Sequence, residues 1–197
     1  MSIFGDLFGG HQIDAALIDV LDTWMPTYLK EVARQSGIPQ TLEPPRSIVA
    51  VAEFDGWPEE QLPSIVIVNA GTEGTPQNHG GIFEASWPIE ICISVQADTQ
   101  PVTRRNSQLY IAAARGCLMQ RRSLGHGMKG VDWGGESYTL IEVEKRRSLA
   151  GAKASFVVQR ENVLTVGAGP TDPDLDPQAG DWPTVKEAEA TVKPKPV

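Results

Sequence analysis

The 197-residue chain has few of the residues that build most reactive sites. It holds two cysteines, Cys92 and Cys117, and three histidines, His11, His79 and His126. The cysteines form no CxxC pair, and the histidines are scattered with no HExxH among them. That spacing indicates no metal site, and two buried free thiols are the expectation. A serine nucleophile needs an elbow such as GxSxG, which is missing; GGES at 134–137 is only an echo of it. The glycine-rich stretch 71–81 contains no GxGxxG, and no Lys-Ser/Thr pair follows it. It also leads into a strand pattern, whereas phosphate cradles use a helix N-terminus. The sequence therefore assigns no catalytic, cofactor-binding or metal-ligating residue, and the chain reads as an assembly subunit rather than an enzyme.

Long apolar runs are also missing. None approaches the ~18 residues of a membrane span, so no membrane partner is expected. The opening MSIFGDLFGG has no basic start and no adequate apolar stretch, and does not read as a secretory leader. Ile3, Phe4, Leu7 and Phe8 make a small apolar stripe there, expected to pack as a turn. Positive charge is short: 17 Lys and Arg against 25 Asp and Glu give a net charge of -8. A dedicated duplex-DNA binder usually has the opposite balance. Three basic groups remain: Arg104-Arg105, Arg121-Arg122 and Lys145-Arg146-Arg147. They read as solvated helix ends or subunit contacts, since no aromatic residues interleave with them for base stacking.

What is present is a core of ordinary size followed by a different kind of sequence. The stretch 169–197 reads GPTDPDLDPQAGDWPTVKEAEATVKPKPV, with six prolines and six acidic residues. Such a segment buries too little apolar surface to offset its ordering entropy. The expected division is a folded domain over 1–168 and a flexible tail over 169–197, with Trp182 as an isolated aromatic able to dock on a partner.

The domain opens with Ile13, Leu17, Val20, Leu21, Trp24, Tyr28 and Val32 on one helical stripe. Pro26 breaks it, so either a kink or a second helix from about Thr23 is expected. Gly37 is a stop signal. Short apolar runs at 48–54 and 64–70 read as strands, the second covered on both faces. The strand at 83–95 is the clearest. Phe83, Ala85, Trp87, Ile89, Ile91, Ile93 and Val95 alternate with polar residues, Glu84 and Glu90 among them. Pro88 within it marks an edge or a bulge. A second helix starts near Pro101, capped by Asp98 or Thr99, and ends around Ser123. It buries Val102, Leu109, Ala112, Ala113, Cys117 and Leu118. Strands at 129–144 and 154–165 follow, joined by the basic turn at 145–147. The fold class is α+β: a mainly antiparallel sheet with two helices on one face, in the order α-β-β-β-α-β-β.

The stretch 71–81 is too long for an ordinary hairpin connection, and long loops often carry function. Gly71, Thr72, Glu73, Gly74, Thr75, Pro76, Gln77, Asn78, His79, Gly80 and Gly81 are therefore candidate partner contacts. Lys145, Arg146, Arg147 and Trp182 complete the set.

The segment SQLYIAAARGCLMQRRSLGHGMKGVDWGGESYTLIE (107–142) resembles the tail terminator proteins of long-tailed, siphovirus-type actinobacteriophages. The resemblance rests on Tyr110, Ala112 and Ala113 in a helix, an exit at Ser123, Leu124 and Gly125, and Val131, Trp133, Glu136 and Tyr138 in a strand. LPSIVIVNAG (62–71) and the strand with Trp87 are similar to the family too, so it covers about 13–166. It implies a virion subunit assembled in the host cytoplasm, forming a ring, expected to be a hexamer. That ring would cap the tail tube protein and join it to the head–tail connector or stopper, while DNA passes through its lumen unread. Another neck or connector subunit is the nearest alternative. An enzyme of unrecognised type and a non-viral binding module are the alternatives of other classes.

Overall fold

The structure is a computed structural model that describes residues 8–39, 42–55, 61–124, 128–143 and 148–165. The expectations for Ile3, Phe4 and Leu7, for His126, for Lys145, Arg146 and Arg147, and for Trp182 and the rest of the tail lie outside the described residues.

Helix α1 runs unbroken over Gly10–Gln35 with Pro26 inside it, so no second helix starts near Thr23. Pro26 carries no N–H for the carbonyl of Asp22, and Asp22 is exposed, where water can serve instead. The buried positions include Ile13, Leu17, Leu21, Met25, Leu29 and Ala33, an unbroken i+4 ridge. Trp24, Tyr28 and Val32 from the expected stripe are only half-buried. The helix ends as its sequence indicates. Ile38 N–H reaches Ala33 O at 3.0 Å and Gly37 N–H reaches Arg34 O at 3.2 Å. Gly37 has φ +64, the left-handed stop that glycine adopts most easily.

Six strands form one mixed sheet: β1 (Ser47–Val51), β2 (Ser64–Asn69), β3 (Gln77–His79), β4 (Ile82–Ala97), β5 (Gly130–Val143) and β6 (Ser148–Thr165). Their spatial order is β1-β2-β4-β6-β5, with β3 paired to the start of β4. β1 pairs parallel with β2, and every other pair is antiparallel. Helix α2 (Gln100–Gln120) lies between β4 and β5 in the chain. The α+β class and the order of elements are those expected, with three-residue β3 added.

Cross-strand pairing explains the core. Trp87, Ile89, Ile91, Ile93 and Val95 of β4 stand beside Val158, Phe156, Ala154, Ala152 and Ala150 of β6. All ten are buried in one cluster with the buried faces of both helices. Fully burying each larger aliphatic side chain contributes roughly 1.5–3 kcal/mol. Helix α1 packs on β1 and β2, and α2 on β4, β6 and β5. The two helices meet where Gly116 leaves room for Tyr28; a Cβ there would stand 3.3 Å from the ring. The small residue thus serves helix–helix contact rather than the sheet. In α2, Tyr110, Ile111 and Ala114 are buried, while Val102 and Ala112 are only half-buried.

Three local expectations change. Pro88 sits inside an interior strand, and the irregular register lies at Phe83/Ala85 instead. The Ser86 carbonyl accepts Glu73 N–H, so alternation turns the Pro88 nitrogen to that same side, just past the last β2 pair at Ile89. Strand β6 begins at Ser148, six residues before the expected start. Its opening SLAGAK is weak in β propensity, but Ala150 and Ala152 fit under α2, and context decides. Finally, part of 71–81 is strand rather than loop.

Candidate partner-binding surfaces

The segment 71–81 follows β4 rather than looping away from it. β2 leaves its ladder at the Asn69–Ile89 pair, Glu73 N–H then reaches Ser86 O at 2.9 Å, and β3 pairs with Ile82, Phe83 and Glu84. Gly80 and Gly81 close a two-residue hairpin turn with φ +66 and +90. Positive φ at both central residues gives the twist that matches the flanking strands. Asn78 Oδ1 accepts Gly81 N–H at 2.9 Å. At the other end Asn69 ties the segment to α1: its amide donates to Asp14 Oδ1 at 2.6 Å, and its carbonyl oxygen accepts Gly71 N–H at 3.2 Å. Gly71 is half-buried, and residues 72–80 are all exposed. Ile82, paired with His79, is 42% exposed. The result is an anchored arm with a solvent-facing tip.

A second surface, which sequence reasoning did not single out for contact, lies along β5. Among the described residues this strand pairs only with β6 and forms one edge of the sheet. Trp133 is 46% exposed and Tyr138 is 42% exposed. Both stand on the helix side, since they pair with Phe156 and Ala152. Arg115 of α2 places its guanidinium 4.9 Å from the Trp133 ring centroid and donates to Glu136 Oε1 at 2.7 Å. The Tyr138 hydroxyl donates to the other oxygen of Glu136. Burial, then this bond, pushes the Tyr138 hydroxyl up to about 12. The type of each residue was visible in the sequence. Their edge position was not, because strand order depends on pairing between distant segments.

The basic pairs divide. Arg121 lies over the Trp24 ring at 3.3 Å, and Arg122 binds Val131 O at 3.0 Å and Asp132 at 2.6 Å. This pair therefore ties the end of α2 to α1 and β5. Arg104 and Arg105 are exposed. Glu84 and Glu90, expected on a solvated face, form ion pairs with Lys129 at 2.9 Å and Lys153 at 3.5 Å. Phe8 packs edge-on against Trp87 at 6.3 Å and donates its N–H to Val163 O.

Among the described residues no group of three or more His, Cys, Asp or Glu is placed to hold a metal ion. A depression of about 440 Å³ opens between Leu42, Glu43, Arg46, Gln96, Asn106 and Tyr110. The Tyr110 hydroxyl is already committed there, donating to the Glu43 carbonyl. No helix of the described residues is long and apolar enough to cross a membrane. No protein-family model matches the chain, and no curated protein matches it either.

Proposed function

We propose that the chain is a structural subunit of a siphovirus-type virion. It forms a ring that caps the tail tube and joins it to the head–tail connector. The observation that carries this reading is a helix-covered body with two sheet edges that have no further strand among the described residues, and an anchored, exposed hairpin. Such a body offers separate surfaces for neighbouring copies and for a tube. The resemblance at 107–142 spans α2 and β5, with Tyr110 in the core and Trp133, Glu136 and Tyr138 on the edge strand. A net charge of -8 suits a lumen through which DNA slides, because like charge reduces adhesion.

Electron microscopy of the purified protein, with and without its tail tube protein, tests the proposal. Rings alone, and tubes of fixed length carrying a ring at one end, are expected. A protein that forms no ring and leaves tube growth unlimited would sink it. A ring that binds the connector and ignores the tube would instead mark a neck subunit.

A further inference from the structure

The two edges of the sheet differ in chemistry, and the difference is complementary. One edge is β5, flanked by α2. The 21 residues of α2 include Arg104, Arg105 and Arg115 and no carboxylate. Between α2 and β5 lies a slot of about 240 Å³, lined by Gln100, Arg104, Ser107, Tyr138, Thr139 and Ala150. Beside it stand the exposed Trp133 and Tyr138. The other edge is β1, covered by α1. Trp24 and Tyr28 face α2, through Arg121 and Gly116. Asp19, Asp22 and Pro26, spaced by three and four residues, lie roughly opposite them around the helix and face outward. Asp19 and Asp22 are exposed, as are Glu53 and Asp55 just beyond β1. The edge lengths also agree. Register shifts at Trp133/Gly135 and Leu140/Glu142 leave a short regular stretch of β5 between them, and β1 has five residues. Among the described residues neither strand has a second ladder partner.

We infer that the partner of each edge is the opposite edge of a second copy of this chain: the β5/α2 flank of one subunit docks on the α1/β1 flank of the next. β5 then continues the neighbour's sheet. Its helix-side residues Trp133 and Tyr138 meet the neighbour's α1, and the α2 arginines meet Asp19 and Asp22. Because two different surfaces meet, the contact is head-to-tail. A head-to-tail contact closes into a ring or runs into a filament, whereas a self-complementary contact stops at a dimer. Backbone hydrogen bonds would supply attraction and the charges the register, as in other strand-addition contacts. The inference deepens the ring proposed above and rests on it only for the ring's role, not for the contact itself.

Two variants of the full chain test it. Trp133→Lys with Tyr138→Lys spoils the first flank, and Asp19→Lys with Asp22→Lys spoils the second. All four residues are exposed, Trp133 and Tyr138 in part, and circular dichroism checks folding. Native mass spectrometry at micromolar concentration is expected to show rings for the wild type and monomers for each variant. An equimolar mixture of the variants should give a heterodimer and nothing larger, since one intact flank remains on each. Should the first of these variants misfold, Trp133→Ala replaces it, expected to raise the concentration for ring formation at least tenfold. A monomeric wild type, rings from either variant, a homodimer of either, or a mixture that stays monomeric would each overturn the inference. Rings that assemble as described but never bind a tail tube would leave it standing and remove only the proposed role.

Discussion

Arg115 on α2 donates to Glu136 on β5 at 2.7 Å, with the Glu136 side chain only 10% exposed. The bond fastens an edge strand to the helix that covers it. Removing the arginine leaves a largely covered carboxylate with the Tyr138 hydroxyl as its remaining side-chain donor among the described residues. Leaving a covered charged group short of a partner costs about 1–3 kcal/mol. Arg115→Ala is therefore expected to lower the thermal midpoint by several degrees. Arg115→Ala combined with Glu136→Ala should cost clearly less than the sum of the two single changes. Additive losses in thermal unfolding would show that the pair is not coupled.

Both thiols are buried, and burial pushes each up from its ordinary value near 9.0, Cys92 to about 11 and Cys117 to about 12. Lys153 and Arg121 respectively oppose the shift in part. Below pH 9.0 both folded and unfolded chains keep these protons, and the thiols do not affect the pH dependence. Between pH 9.0 and about 12 the unfolded chain releases protons that the folded chain holds, so stability falls as pH rises. Tyr138, pushed up to about 12, adds to the fall in its upper part. Urea midpoints measured across this range should drop, and Cys117→Ala should show a shallower alkaline fall than the wild type. At neutral pH a thiol reagent should label neither cysteine until the chain unfolds.

The readable parts of the fold are those whose signal is local. The alternation from Phe83 to Val95 gave β4 its face, and Thr99 and Pro101 marked the start of α2. Ser148–Lys153 was unreadable because its small residues earn their place in β6 only under α2. Strand β3 was hidden because each of its residues is exposed and polar, leaving no apolar pattern. Gly80-Gly81 did carry a hairpin signal, masked by the length of the stretch around it. The edge surface at Trp133 and Tyr138 was named only through the resemblance. The local edge signal, Pro88, fell on the interior strand β4, and no such signal marks β5.

Helix α1 contains one change that should stabilise the fold and one that should weaken it. Pro26→Ala restores the donor for the Asp22 carbonyl. An interior proline costs about 3 kcal/mol relative to alanine, and the gain is expected to be smaller because the helix has adapted to it. Gly37→Ala acts oppositely. A Cβ at Gly37 would meet nothing within 4 Å, so the loss of about 1 kcal/mol comes from φ +64 alone. Thermal unfolding of the two variants decides. A lower midpoint for Pro26→Ala would mean that the core requires the local shape proline imposes.

With the sheet edges proposed to join neighbouring copies, the candidate contact at 71–81 is left to meet the tail tube in the proposed function, and its anchoring dictates how to test it. Cutting out the whole segment would also strip β4 of the Glu73 bond and of its β3 pairs, so a loss of function would be ambiguous. Changes at the tip avoid this. His79 and Ile82 face each other across the turn, and Ile82 is 42% exposed, so neither supports the core. His79→Ala with Ile82→Ser should leave the thermal midpoint and the assembly state unchanged while weakening capture of the tube in a pull-down. Gly80→Ala with Gly81→Ala acts through the backbone. The positive φ at both positions strains any side chain, at about 1 kcal/mol each, which loosens the turn but not the body. Hydrogen exchange should then quicken at the β3 amides and hold steady in α2 and β6. A loosened arm has more order to lose on docking, so tube binding should weaken here too, without any contact residue being altered. If both variants cap tubes as well as the wild type does, the arm is only a connection between β2 and β4, and the tube is held elsewhere.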